Sequence, residues 1–266
     1  MESRAYHRLQ CIIIAQLLVA CKDFLQTEST FFFPDAPSFD AKENAVNPRY
    51  CFFDLDGTLT DSSEGITRSV AYALEKSGIQ PPPVEELFCF IGPPLVRAFS
   101  EFYGMDEAAA RQAVVYYREY YPQKGIYECR VYDGIRRLLE ELNRAGVVCV
   151  LATCKPHVFA NRILEHFDLA KYFSFVSGPE FDGTRNEKSE VIAYALEQLK
   201  IRDPRAVWMI GDRRDDILGA HANGIEAIGA AWGFGSREEL EAAGAAFLCE
   251  SADELLAHLL PKAKKM

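Results

Sequence analysis

A doubly wound α/β fold, interrupted near its start by an all-helical segment, is what this chain predicts. Three observations predict it. From residue 131 onward, short apolar runs of strand type alternate with amphipathic helical stretches, the pattern of a parallel sheet covered on both faces. Residues 64 to 130 carry helical spacing and no strand signal. Aspartates and a threonine stand at the ends of separate strand-like runs, on the edge where open parallel sheets bind ligands.

The elements follow in order. In "YCFFDL" the run Tyr50 to Phe53 reads as a short buried strand. "EGITRSVAYALEKSG" has helical spacing at Ile66, Val70, Ala73 and Leu74, with Gly78 at its end. Pro81, Pro82 and Pro83 break the chain. "VEELFCFIG" and "PPLVRAFSEFYG" read as helices, Pro93 and Pro94 fitting a first turn. "DEAAARQAVVYYREYYPQKG" is a further helix capped by Asp106. Beyond it, "DGIRRLLEELNRAG", "PHVFANRILEHFD", "NEKSEVIAYALEQLK", "RDDILGAHANG", "SREELEAAG" and "SADELLAHLL" read as helices. Between them, "VVCVLAT", "FSFVSG", "AVWMIGD", "IEAIGAAWG" and "AAFLCE" carry strands. The expected organisation is an N-terminal extension over 1–48, an α/β core over 49–63 and 131–260, a helical cap over 64–130 and a basic tail over 261–266.

The extension differs in character. Arg4 and Arg8 precede "CIIIAQLLVAC", an apolar run short for a bilayer span. Basic residues before such a run resemble a signal peptide, and "LVAC", ending at Cys21, looks like a lipoprotein cleavage site. An amphipathic extra helix, or a start codon assigned too far upstream, are the competing readings. Export or lipid anchoring through residues 1–21 is therefore the alternative to a cytoplasmic location. Residues 27 to 48 lack a sustained period and read as a linker.

Composition narrows the function. Of 266 residues, 49% are hydrophobic and 26% charged, the ordinary globular range. A formal net charge of -10 argues against a nonspecific grip on nucleic acid or anionic membrane. An anionic substrate then needs local positive charge or a metal. Eight cysteines are scattered without a CxxC pair, which argues against zinc or dithiol chemistry and favours a reducing compartment.

The strand ends carry the chemistry. The first presents Asp54, Asp56 and Thr58; the second presents Thr153, then Cys154 and Lys155. A loop after "FSFVSG" delivers Lys188, and "AVWMIGD" ends in Asp212 with Asp215 and Asp216 in the next turn. This set suits a phosphate monoester. A phosphoryl group needs a nucleophile, neutralisation of its oxygens and a proton for the leaving alcohol. Clustered carboxylates suit Mg²⁺, which would relieve the repulsion between Asp54 and Asp212. Lys188 adds positive charge and Thr153 a hydroxyl. Backbone N–H groups after Asp54 and Thr153, at Gly57, Thr58 and Cys154, are candidates for an oxyanion cradle.

"DLDGT", Thr153, Lys188 and "GDRRDD" match in order the four motifs of the haloacid dehalogenase superfamily, and the sequence resembles its phosphoglycolate phosphatase and β-phosphoglucomutase branch. The resemblance covers roughly residues 50 to 260. It implies a Rossmann-like core with a helical cap inserted directly after the first motif. It implies that Asp54 is the nucleophile and a metal ligand. Asp56 would be the general acid, then the base that activates water, and a metal ligand through its carbonyl. Thr153 would bind the phosphoryl group, Lys188 would pair with Asp54 and phosphate, and Asp212 would ligate Mg²⁺ with help from Asp216. The implied activity is a Mg²⁺-dependent phosphatase of a small phosphorylated metabolite. Phosphoglycolate and nucleoside monophosphates are the leading substrates, the latter making it a 5'-nucleotidase; a phosphomutase is the other alternative.

Other residues admit plainer readings. Asp215 reads as a turn or helix-cap residue, and Asp216 divides between metal ligand and helix cap. Lys155 is expected along the pocket rim. Cys154 lacks the CxxxxxR loop of a cysteine phosphatase. The tyrosines of "VVYYREYY" read as helix core rather than a stacking platform. "IGPPL" divides between a substrate-touching loop and a helix start. Asp182 and Arg185 are candidates to contact the leaving group. His157, His166 and His221 lack ligand spacing and read as surface or packing residues.

Overall fold

The computed structural model describes residues 48–260. The signal-like segment and the basic tail lie outside the described residues. Among the described residues, no helix is long and apolar enough to cross a membrane.

The main sheet has six parallel strands: β1 (Tyr50–Phe53), β4 (Val148–Ala152), β5 (Phe173–Ser177), β6 (Val207–Gly211), β7 (Glu226–Ala230) and β8 (Phe247–Cys249). Their spatial order is β5-β4-β1-β6-β7-β8. The chain winds outward from β1 to one edge, returns to β6 beside β1, and winds to the other edge. The winding direction therefore changes at β1, which pairs with both β4 and β6.

Alternation explains the two covered faces. Successive strand side chains point to opposite sides of a sheet. Cys51 and Phe53 join Cys149, Leu151 and Ile210 on one face, packed under α4 (Ile135–Arg144), α5 (His157–His166) and α9 (Ala252–Leu259). Phe52 joins Val150, Ala152 and Met209 on the other. That face is covered by α6 (Lys188–Gln198), α7 (Arg214–Ala222) and α8 (Arg237–Ala242). Each fully buried large apolar side chain contributes roughly 1.5–3 kcal/mol relative to exposure, so this two-sided burial favours a strand with no polar face.

The helical insertion consists of α1 (Ser63–Lys76), a 3₁₀ segment (Val84–Phe90), α2 (Leu95–Tyr103), α3 (Glu107–Tyr120) and a 3₁₀ turn (Gly125–Tyr127). Helix α1 buries Ile66, Val70, Ala73 and Leu74, the positions its spacing marks. Asp106 caps α3 by accepting from the Ala109 amide. The segment expected as a helix over "VEELFCFIG" winds instead as 3₁₀. Gly92 and the N–H-less Pro93 and Pro94 follow it and prevent its extension into a regular α-helix. Those two prolines precede α2, whose N-cap is Pro94, rather than forming its first turn.

The sequence pattern missed one element. β2 (Thr60–Asp61) and β3 (Arg130–Val131) form a two-residue antiparallel ribbon. It joins the chain entering the insertion to the chain leaving it.

Candidate active site

Three strands end at one place. β1 runs into Asp54, β4 into Thr153 and β6 into Asp212, on neighbouring strands of matched register. Helices α6 and α7 begin at the same edge and supply Lys188 and Asp216.

Lys188 is the hub. Its Nζ lies 2.9 Å from Asp54 Oδ1 and 2.6 Å from Asp216 Oδ1, and it donates to the Ala152 carbonyl at 3.0 Å. All three side chains are buried. Burial alone would lower the lysine pKa; Asp216 and Asp54 overturn that and hold it above the usual lysine value. The sequence expectation of a Lys188–Asp54 pair is met by this geometry, and Asp216 joins the pair.

The acids are crowded. Burial, then repulsion from Asp216 and Asp54, pushes Asp212 well above the usual carboxylate range. Burial pushes Asp216 up to about 6 against the pull of Lys188. One carboxylate oxygen from each of Asp54, Asp212 and Asp216 lies within 4.8 Å of the others. Hard oxygen donors at this spacing fit a divalent cation such as Mg²⁺, which takes carboxylates and water. A cation there would offset the negative charge that Lys188 leaves uncompensated. Asp216 also fills the helix-cap role read for it, since its Oδ2 accepts from the Arg213 amide at the start of α7.

Thr58 and Gly57 have structural jobs. The Thr58 hydroxyl donates to Asp212 Oδ1 at 2.9 Å. The Gly57 amide donates to the Thr60 carbonyl at 2.8 Å, and the Thr58 amide to Leu55 at 3.3 Å. Their N–H groups are thus engaged in the turn, so the expectation that these two residues bind phosphate is corrected. Gly57 has φ +86°, and a Cβ on it would lie 2.1 Å from Asp212 Oδ2. Glycine is required here by backbone and by space. Thr153 Oγ1 accepts from the Lys155 amide at 3.2 Å, which leaves the hydroxyl proton to donate elsewhere.

Asp56 points from the same turn toward a cavity of about 320 Å³, which it lines with Cys154, Lys155, Tyr117 and Tyr121. Its Oδ2 pairs with Lys155 Nζ at 2.8 Å, while its Oδ1 is buried without a hydrogen-bond partner. Lys155 is buried, not on the rim. That corrects the sequence reading. The chain bends directly after Thr153, where the Lys155 amide turns back to donate to Thr153 Oγ1, and this bend carries Lys155 inward. Burial opposes the charge of Lys155, but Asp56 outweighs it and the lysine pKa is raised. Burial pushes the Cys154 thiol up to about 12, leaving it a poor nucleophile at neutral pH.

The cavity continues away from Asp56 between the insertion and the core. Val115 and Phe181, both about half-exposed at 48%, face it from α3 and from the loop after β5. The Arg118 guanidinium lies 5.0 Å from the Phe181 ring centre and, among the described residues, has no carboxylate partner. In "IGPPL", Gly92, Pro93, Pro94 and Leu95 precede or begin α2 and also line the cavity. Tyr117 and Tyr121 likewise belong to the buried core and to the cavity wall. Asp182 lines the cavity, whereas Arg185 turns to Glu180 and the Tyr194 ring.

Two contributions come from residues that no motif in the sequence marks. The Phe234 amide donates to Asp212 Oδ2 at 2.9 Å, and Trp232 Nε1 to the Thr58 carbonyl at 3.0 Å. Asp215, read as a turn residue, also pairs with Arg97 of α2, which reaches Glu187 at 3.2 Å as well. Arg97 therefore ties the insertion to the starts of α6 and α7.

Such an arrangement can accept a phosphoryl group at Asp54 beside a cation and a lysine, with a leaving group in the cavity beyond Asp56. Comparison with known proteins agrees in kind. Residues 51–230 match the haloacid dehalogenase-like hydrolase family. A 5'-nucleotidase of Pseudomonas aeruginosa is 50% identical over 190 residues, 71% of this chain and 86% of that protein. The tyrosine-protein kinase PtkA of Mycobacterium tuberculosis is 37% identical over 217 residues, 81% of this chain and 74% of that protein. A crystal structure described as a predicted phosphatase from Clostridium acetobutylicum superposes with TM-score 0.77 at 49% identity, covering 79% of this chain and 96% of that one.

Proposed function

We propose that this chain, which belongs to the haloacid dehalogenase-like hydrolase family, hydrolyses nucleoside monophosphates or phosphomonoesters of similar size by way of a phosphorylated Asp54. The observation that carries the reading is the split of the two aspartates. Asp54 lies against Lys188, whereas Asp56 keeps a bare Oδ1 and lines the cavity.

The roles follow from that split. Lys188 holds Asp54 and the incoming phosphoryl oxygens, and Thr153 donates its free proton to the same group. An Asp54 oxygen attacks phosphorus as the bond to the leaving oxygen breaks. Asp56 gives that oxygen its proton, then takes one from the water that cleaves the aspartyl-phosphate. Inorganic phosphate leaves and Asp54 is restored. Asp54, Asp212 and Asp216, with the Asp56 carbonyl, would hold Mg²⁺. When bound, it neutralises charge on the transferring group.

The cavity supports the substrate class. Its volume of about 320 Å³ and its exposed Phe181 and Val115 suit a leaving group of nucleoside size with a planar base. Glycolate, the small alternative, would leave most of that space unfilled. The relative named as a 5'-nucleotidase supports the same reading. Transfer to a protein hydroxyl, the activity for which PtkA is named, would require the insertion to admit a side chain, and the Arg97 contacts draw the insertion onto the core. A phosphomutase would have to shield the aspartyl-phosphate from water and rebind its intermediate.

Hydrolysis of nucleoside monophosphates, phosphoglycolate and sugar phosphates, with and without Mg²⁺, tests the reading. Release of phosphate from nucleoside monophosphates in Mg²⁺ alone is expected. Turnover confined to sugar-phosphate isomerisation, or unaffected by EDTA, overturns it.

A further inference from the structure

The two oxygens of Asp56 are held in different states, and the cause is Lys155. Oδ2 is fixed at 2.8 Å from the Lys155 ammonium, while Oδ1 is buried with no hydrogen-bond partner. The side chains are 6% and 9% exposed, so water does little to exchange the two oxygens. Lys155 is itself anchored twice. Its amide donates to Thr153 Oγ1, and its ammonium lies 4.6 Å from the centre of the Tyr121 ring. Tyr121 ends α3 in the insertion; it stacks on Tyr117 at 5.1 Å and meets Phe159 of the core helix α5 at 5.6 Å. The chain of contacts thus runs from the insertion, through Tyr121 and Lys155, to Asp56.

We propose that Lys155 is a positioning residue for Asp56: it ties down Oδ2 so that Oδ1 alone faces the leaving oxygen, and it does so fully when Tyr121 lies over it. The inference rests on the phosphatase reading above. A buried carboxylate free to rotate would present either oxygen, and proton transfer is efficient only from an oxygen held within hydrogen-bond reach. The Tyr121 face over the ammonium adds a cation–π attraction that strengthens in a water-poor site. Seating of the insertion and orientation of the acid are then one event. Phosphoryl binding is left to the Lys188 ammonium and the Thr153 hydroxyl proton, neither of which is engaged with Asp56.

The distinction between positioning and mere packing is readable from leaving groups. An alkyl phosphate needs a proton on its leaving oxygen; 4-nitrophenyl phosphate scarcely does. The experiment compares wild type, K155M, K155R and Y121L in Mg²⁺ on a nucleoside monophosphate and on 4-nitrophenyl phosphate. K155M is expected to lower kcat/KM, which reports phosphoryl transfer to Asp54 before the hydrolysis common to both substrates, about 100-fold on the nucleoside monophosphate and less than about 10-fold on 4-nitrophenyl phosphate. K155R is expected to recover part of the loss. Y121L, which keeps the ion pair, is expected to show the same selectivity at smaller size. Equal losses of kcat/KM on both substrates overturn the proposal. If K155M fails to fold, Y121L decides alone, and an absence of selectivity there overturns it. Wild type inactive on both substrates removes the phosphatase reading and this proposal with it.

Discussion

Lys188 Nζ stands 2.9 Å from Asp54 Oδ1, with both side chains at or below 5% exposure. A buried pair of this kind is costly to break from one side, because the remaining charge has no partner. D54N removes the proposed nucleophile while keeping its shape. Turnover is expected to fall at least about a thousand-fold, with the fold retained because Lys188 keeps Asp216 as its partner. Phosphate-release kinetics and circular dichroism check the two halves.

Replacing the lysine should damage the fold as well. In K188M, Asp54 and Asp216 face each other without the ammonium. A loss of about 3 kcal/mol or more is expected, read by urea unfolding in EDTA, together with loss of activity.

Metal and pH should act together on stability. The folded pKa of Asp216 is about 6, above the usual value, and that of Asp212 is raised too. The folded state therefore holds protons that the unfolded state has released between about pH 4 and pH 6. Without metal, stability should fall as pH rises through that window. Mg²⁺ competes with those protons, so its stabilisation should grow over the same range. At a hundredfold excess over Kd, a Tm gain of roughly 5–10 °C is expected near pH 7.5, and a smaller one at pH 5. Differential scanning fluorimetry across pH checks it, and an equal gain at both values would refute it.

Gly57 offers a steric test. With φ +86° and Asp212 Oδ2 2.1 Å from any added Cβ, G57A should push Asp212 from its place. The backbone cost alone is about 1–2 kcal/mol. The stronger expectation is loss of Mg²⁺-dependent stabilisation, measured by the same scan.

Arg97 and Phe181 concern the substrate side. R97A removes the link from the insertion to Asp215 and Glu187. Its stability effect should stay below about 1 kcal/mol, while KM rises about three- to tenfold. F181A should lower kcat/KM for nucleoside monophosphates about tenfold and leave phosphoglycolate hydrolysis unchanged. Steady-state kinetics on both substrates separate the two effects.

The sheet and its carboxyl edge were legible because each strand is a short apolar run ending in a polar residue. Periodicity placed α1 and α3, and the cap residue Asp106, for the same local reason. What the sequence did not carry is direction and distance. The inward course of Lys155 depends on the bend of the chain directly after Thr153, which no periodicity announces. The Arg97–Asp215 pair joins residues far apart in the chain, and no local pattern announces it. The Phe234 amide is backbone, which has no letter in a sequence. The strands of the ribbon are two residues long, below any period.

That ribbon has a consequence for descent. Because Thr60–Asp61 and Arg130–Val131 lie side by side, the chain departs from the sheet and returns to it at a single seam. Whatever is stitched in at that seam can lengthen, shrink or be exchanged while β1 and β4 keep their neighbours. Such exchange is constrained where the insertion reaches back to the sheet edge, through Tyr121 over Lys155 and Arg97 beside Asp215.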